Sequence, residues 1–298
     1  MYASIFKNKF KTAVIVATIF VLLSVVVYYI SYALGYGRYA IVIALGFSLV
    51  TSIASYWNSD KVVIAINHAR PADDAQYSEV RGALQRVCHA ADIPVPKLYV
   101  MDDPSPNAFA TGRNPKHAAV CVTTGLVSSL DYYQIEGVIA HEAAHIRNYD
   151  ILLSTVASVM IGAVIMISDI WSRSLFFGGR RSRNDEKDGA NGILMIIGLV
   201  FVILAPIAGQ LLRLALSRSR EYLADATAVE FTHNPEGLAT ALETIGGIAQ
   251  PVRCANSATA NMYISDPILA ANGRRGMSLF ATHPPIEKRV EAIRNMEY

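Results

Sequence analysis

The sequence predicts a mainly α chain with a small β-hairpin or sheet, held in a membrane by transmembrane helices. Composition is the first reason. Hydrophobic residues make up 53% and charged residues 17% of 298 positions, with a mean hydropathy of +0.33. That leaves too little charge for an ordinary soluble surface. The second reason is four uncharged runs: Thr12 to Gly37 (26 residues), Tyr39 to Ser59 (21), Ile151 to Ser168 (18) and Gly189 to Leu212 (24). Crossing the hydrocarbon core takes about 20 apolar residues, so the third run is marginal and the others are long enough. The third reason is that the two polar pieces between these runs carry mostly helical periodicity, with a β pattern only near 97–123.

Residues 1–59 read as an N-terminal transmembrane hairpin. The first run far exceeds a signal-peptide core of roughly 7–15 residues, and no small-residue cleavage site follows it. It is therefore expected to be a retained anchor. Lys7, Lys9 and Lys11 flank its start and only Arg38 lies in the link to the second run. By the positive-inside tendency the N-terminus is cytoplasmic and the chain returns to the cytoplasm near Asp60.

Residues 60–150 read as the first half of a cytoplasmic domain. Val80, Leu84, Val87 and Cys88 fall at helical spacing between Tyr77 and Ala91, with Pro94 and Pro96 beyond the helix end. Lys97 to Met101 reads as a strand. The segment from Asp102 to Asn107 is turn chemistry. Ala108 to Ala110, a Gly112-Arg113-Asn114-Pro115 turn and His117 to Thr123 form the expected hairpin. Ser128 and Ser129 are the expected N-caps of a helix running to about Asn148. Residues 151–212 read as a hydrophobic helical pair with a basic loop. Residues 213–298 read as the second half of the domain: a long helix to Phe231, another helix opened by Asn234-Pro235, a loop-like stretch over 251–276, and a charged final helix over 286–296.

The sharpest chemical feature is His141-Glu142-Ala143-Ala144-His145. On a helix, positions i and i+4 share a face, so both imidazoles can bind one Zn²⁺, and Glu142 can serve as general base toward a water at the metal. A catalytic zinc needs a third protein ligand. Glu221 and Asp225 stand four apart on the long helix, so Glu221 can be that ligand and Asp225 can accept a hydrogen bond from a ligating histidine. A surface helix with solvated charges would carry the same residues. Asn107 to Gly112 can be an edge strand for an extended substrate or a plain structural hairpin. His283 can face the oxyanion or belong to a turn before the last helix. Asp150 reads as a helix-end or salt-bridge residue.

The apolar pair, Pro106 to Gly112, the HEAAH helix, Ser219-Arg220-Glu221 through Asp225, and Thr282-His283-Pro284-Pro285 lie in order across nearly the whole chain. In this it resembles the HtpX-type membrane zinc metalloproteases, relatives of the CaaX prenyl-protein endopeptidases. The resemblance implies a gluzincin-like zincin domain with one Zn²⁺ per chain, bound by His141, His145 and Glu221. It further implies Glu142 as catalytic residue and Asp225 behind a ligand; His283 and Asn107 are candidate substrate or transition-state contacts on the reading of the residues alone. The implied activity is endopeptidase cleavage of cytoplasmic regions of damaged or misassembled proteins of the inner membrane.

Other classes fit less well. A net charge of +2 without a basic, aromatic-interleaved cluster does not point to nucleic acid. Cys88, Cys121 and Cys254 form no metal or disulfide pattern. A non-catalytic zinc-binding scaffold would not need Glu142, and four short spans are few for a prenyl-binding chamber. Glu136, Arg147, Asn148 and Asp150 crowd the motif, so it lies in water, unlike an intramembrane protease site.

Overall fold

A computed structural model describes residues 2–156, 158–159, 218–248, 251–253, 259–265 and 283–296. The helical pair expected over 151–212 falls outside the described residues, apart from a helical stretch at 150–156 and residues 158–159.

Helix α1, Tyr2–Ser31, and helix α2, Ala40–Ile66, are joined by a short π turn and a 3-10 turn. The reversal uses Gly35 at φ 89° and Gly37 at φ 50°, backbone conformations that cost glycine little. The two helices pack on each other as a hairpin. Both carry long apolar stretches, and large side chains such as Phe6 (73%) and Val42 (66%) stay uncovered. So much exposed apolar surface calls for lipid, and the stretches Asn8–Tyr29 and Gly37–Ala54 are long and apolar enough to cross a bilayer. Helix α2 runs on past this stretch. Its end buries Val63 and Ile64 among Met101, Phe109, Cys121 and Tyr263, which joins the hairpin to the rest of the protein.

Strand β1, Arg70–Pro71, leads to helix α3, Ser78–Ala90, and strands β2, Lys97–Met101, β3, Ala108–Asn114, and β4, His117–Thr123. The sheet order is β1-β2-β4-β3, with β2 and β4 parallel and the other two pairs antiparallel. Val80, Leu84, Val87 and Cys88 are buried on α3, as their spacing predicts. The hairpin reversal sits one step later than expected: Gly112 to Asn114 belong to β3, with a bulge, and the turn is Pro115-Lys116. Gly112 has φ 141°, and a Cβ there would come within 2.3 Å of the His117 carbonyl oxygen.

Ser128 and Ser129 are not N-caps. They lie inside a short helix α4, Thr124–Ser129, and helix α5, Tyr132–Arg147, is capped by Asp131. Asp131 accepts from the Gln134 backbone N–H while the Gln134 side chain accepts from the Asp131 N–H, each filling an orphan group at the helix start. Helix α6 is Arg218–Thr232, helix α7 is Pro235–Gly247 and helix α8 is Ile286–Arg294. Asn234 caps α7 and Pro235 starts it, as expected.

Helix α5 is the centre of the domain. It packs against α3, α6, α7 and β3, and Ile135, Val138, Ile139, Ala143, Ala144 and Ile146 are buried along it. Its approach to α7 is set by Gly137, where a Cβ would lie 2.7 Å from the Leu238 nitrogen and 2.8 Å from its Cα. Both neighbours are backbone, so they cannot swing aside. Gly137→Ala is expected to destabilise the domain by about 1–3 kcal/mol through overpacking, although alanine favours helix. Urea unfolding of the two proteins in detergent checks this, and an unchanged midpoint would contradict it.

Candidate metal centre

The buried face of α5 carries His141, Glu142 and His145 into a cleft lined also by Ala110, Asp150, Arg220, Glu221, Tyr263, Ile264 and His283. The helix repeat brings the two imidazoles together: their rings are 4.7 Å apart and their Nε2 atoms 3.1 Å apart. Glu221, buried on α6, faces both, with Oε2 3.7 Å from His141 Nε2 and Oε1 3.7 Å from His145 Nε2. Among the described residues, His141, His145 and Glu221 form the group able to hold a metal ion, with ligand atoms within 4.8 Å of one another.

The tautomers decide whether a cation fits. His141 Nδ1 lies 2.9 Å from Asp225 Oδ1, and His145 Nδ1 lies 3.1 Å from Asp150 Oδ2. A carboxylate accepts, so each Nδ1 carries the hydrogen and donates it. In the neutral rings each Nε2 then presents a lone pair to the same small space beside the Glu221 carboxylate, and a metal entering there displaces the proton that His145 otherwise holds. Three electron-rich atoms converging in this way suit a divalent ion such as Zn²⁺, which takes histidine nitrogen and carboxylate oxygen in a site of this kind. The residues fit the metal.

Charge around the site is balanced by partners in the protein. Arg289 on α8 is fully buried and grips Asp225 with two hydrogen bonds, Nε to Oδ2 at 2.9 Å and Nη2 to Oδ1 at 2.7 Å. Its Nη1 donates to the Ile264 carbonyl at 2.9 Å. Burial works to raise the Asp225 carboxyl, but the Arg289 guanidinium beside it holds it below its ordinary value. Glu221 likewise stays well below the usual carboxylate range, because the charges of His283, His145 and His141 outweigh its burial. Burial lowers His141 to about 4 despite Asp225. At His145 burial opposes protonation too, yet Asp150 and Glu221 raise it to about 9.

Glu142 is buried but borders the cleft. Burial pushes its carboxyl up to about 7, with the Ala110 backbone N–H hydrogen-bonded to it pulling the other way. Strand β3 thus runs alongside the site. Its outer edge is bridged at Phe109 by Tyr263, and the Ala108 carbonyl accepts from the Ile264 N–H at 2.9 Å.

The other residues singled out by sequence divide. Asp225 lies beside His141, with Oδ1 2.9 Å from Nδ1. His283 reaches the site, with Nδ1 3.0 Å from Glu221 Oε2 and a buried Nε2 that has no hydrogen-bond partner among the described residues. Asn107 does not face the cleft: its Nδ2 donates to the Ser265 carbonyl at 3.0 Å and its Oδ1 accepts from the Ala108 N–H at 3.1 Å. Asp150 is a salt-bridge residue, as expected, meeting His145 Nδ1 at 3.1 Å and Arg220 at 3.4 Å. Sequence reasoning missed Arg289. The available signal was that it shares a helical face with Val290 and Ile293, both buried.

The family model described as Peptidase family M48 matches residues 74–297. A Protease HtpX homolog of Dictyoglomus thermophilum is 45% identical over 296 residues, covering 99% of this chain and 94% of the relative. One of Thermoanaerobacter pseudethanolicus is 42% identical over 291 residues, covering 97% and 96%. One of Lactobacillus acidophilus is 41% identical over 302 residues, covering 99% and 100%. The crystal structure of S. mikatae Ste24p is similar with a TM-score of 0.48 and 17% identity, over 98% of this chain and 67% of that one.

Arg289→Met tests the balance of charge around the site. It leaves Asp225 buried without its partner, which costs about 3–5 kcal/mol when one member of a buried pair is removed. Disturbing the carboxylate behind a ligating histidine also weakens metal binding by about 10–100-fold. Chelator competition and urea unfolding of the same preparations are expected to show both losses. Wild-type metal affinity in the variant would contradict the role given to Asp225.

Proposed function

The chain belongs to peptidase family M48, and as a membrane-bound metalloprotease it acts on proteins; we propose that it is a zinc endopeptidase of the inner membrane that cuts cytoplasmic segments of damaged or misassembled membrane proteins. The observation that carries this is the convergence of the His141 and His145 Nε2 lone pairs on Glu221, with the Glu142 carboxyl on the same cleft. His141, His145 and Glu221 would hold one zinc ion per chain. Zinc, when bound, polarises the scissile carbonyl and lowers the pKa of water at the site to about 7.

The protein's own groups do the rest. Glu142 takes a proton from the attacking water and passes it to the leaving amine nitrogen, and a carboxyl held at about 7 is matched to both directions of transfer. The Ala110 N–H holds that carboxyl in place from the edge of β3, beside which an extended substrate would lie. Asp225 and Asp150 keep the two histidines in the tautomer that leaves Nε2 free to bind the metal. His283 donates from Nδ1 to Glu221 Oε2 and so holds that carboxylate beside the two histidines.

The membrane setting supports the choice of substrate. The α1–α2 hairpin begins and ends on the domain's side, so the cleft stays close to the bilayer surface. The lysines before the first span favour the cytoplasm for that side. Membrane proteins with unfolded cytoplasmic segments are what such a cleft would meet.

Zinc content and casein hydrolysis, measured on detergent-purified wild type, Glu142→Gln and Glu221→Ala, test the reading. Chelator present during purification limits self-digestion and is removed before zinc is restored. The wild type is expected to take up about one zinc and to cleave casein. Glu142→Gln is expected to keep its zinc and lose activity by about 10²–10⁴-fold, and Glu221→Ala to lose both. Full activity in Glu142→Gln would contradict the assignment of the base. Zinc uptake without hydrolysis of casein or of a membrane protein with an unfolded cytoplasmic loop would contradict the enzyme and leave a scaffold.

A further inference from the structure

Helix α1 does more than enter the membrane. Asn8, at the start of its apolar stretch, is 4% exposed, and a buried amide must find partners or cost stability. Its Nδ2 donates to Asp150 Oδ1 at 2.7 Å and to the Asn148 carbonyl at 3.1 Å. The other oxygen of Asp150 is the one that accepts from His145 Nδ1 at 3.1 Å. A continuous hydrogen-bonded path therefore runs from α1 through one carboxylate to a metal-ligating imidazole, between residues some 140 positions apart in the chain.

Two neighbouring contacts hold the same place. Asn148 and Tyr149 make the turn that ends α5, and Tyr149 sits at φ 60°, a conformation that is rare and strained for a bulky side chain. Lys9 places its ammonium 4.3 Å from the centre of the Tyr149 ring. Farther along α1, Ile15 and Val16 pack on Leu152, Leu153 and Val156 of the helical stretch that follows the turn. Arg220 also reaches Asp150 Oδ1, at 3.4 Å, a longer contact than that of Asn8.

We propose that the first membrane helix is a working part of the metal centre, with Asn8 positioning His145 through Asp150. A carboxylate that orients an imidazole must present one particular oxygen to Nδ1. The short bond from Asn8 fixes Oδ1, and so leaves Oδ2 facing His145. Without it the carboxylate turns toward Arg220, the imidazole loses its orientation and the metal is held less firmly. A chain whose Asn8 does not reach Asp150 thus holds metal less firmly. The inference rests on the metalloprotease reading of His141, His145 and Glu221.

The test uses the full chain in detergent, loaded with Co²⁺ as a spectroscopic substitute for zinc. Asn8→Leu keeps the number and branching of the side-chain heavy atoms and removes the donor. Residues bonded to a ligand typically contribute about 10–100-fold to metal affinity, and Asn8 acts one step farther out, so release of Co²⁺ to excess chelator is expected to be about threefold to tenfold faster. The visible ligand-field spectrum is expected to shift, and the unfolding temperature of the metal-free protein to fall modestly as Asp150 loses a donor. Val16→Ala, which loosens the same helix by packing alone, is expected to lower that temperature and leave the release rate unchanged. Asn8→Ala serves if the leucine variant cannot be recovered. Wild-type release and spectrum in the Asn8 variant, or equal acceleration in Val16→Ala, would overturn the inference alone. A wild type that takes up no Co²⁺ would overturn the metal reading together with it.

Discussion

Two imidazole nitrogens held 3.1 Å apart and turned to the same space beside a carboxylate are the constraint on which the rest of the protein depends. The space is matched to a cation only while each participant is held from behind. His141 is held by Asp225, Asp225 by Arg289, and Arg289 by the Ile264 carbonyl. His145 is held by Asp150, and Asp150 by Asn8 and Arg220. Charges this deeply buried are tolerated only when paired with good geometry. Helices α1, α6 and α8 each contribute a partner, and the turn after α5 contributes Asp150.

The packing follows from the same need. Helix α5 must be rigid to keep two side chains in register, so it lies in the middle of the domain with nearly every residue from Ile135 to Ala144 buried. Close contact with α7 at Gly137 and the paired cap at Asp131 and Gln134 fix its first half. The strained turn at Tyr149 fixes its end against α1. The hairpin α1–α2 thereby joins what composition would separate. Its apolar surface belongs to lipid, while the N-terminal end of α1 and the C-terminal end of α2 belong to the domain.

Local patterns were legible in the sequence because they rest on neighbours. The HEAAH spacing, the four-residue step from Glu221 to Asp225, the apolar stripe of α3 and the Asn234-Pro235 start of α7 are all set by one helix turn. Capping was less legible. Ser128 and Ser129 have the right chemistry, but Thr123 already starts a short helix through them and Asp131 caps the next. Long-range pairing left little trace. Arg289 sits between Glu287, Lys288 and Glu291 in what reads as a solvated helix, and only its alignment with Val290 and Ile293 marks it as buried. Asn8 and Asp150 meet across 142 positions, with nothing local to either that names the other. Asn107 has an edge-strand position, yet its amide is spent on Ser265 and its own strand.

The most direct test of the central claim is X-ray absorption at the zinc edge on the purified, zinc-loaded full chain. The account expects two imidazole nitrogens at about 2.0–2.1 Å together with carboxylate and solvent oxygen at about 2.0–2.2 Å, and no sulfur. A sulfur shell near 2.3 Å, or an oxygen-only shell without imidazole scattering, would contradict a metal centre built from His141, His145 and Glu221.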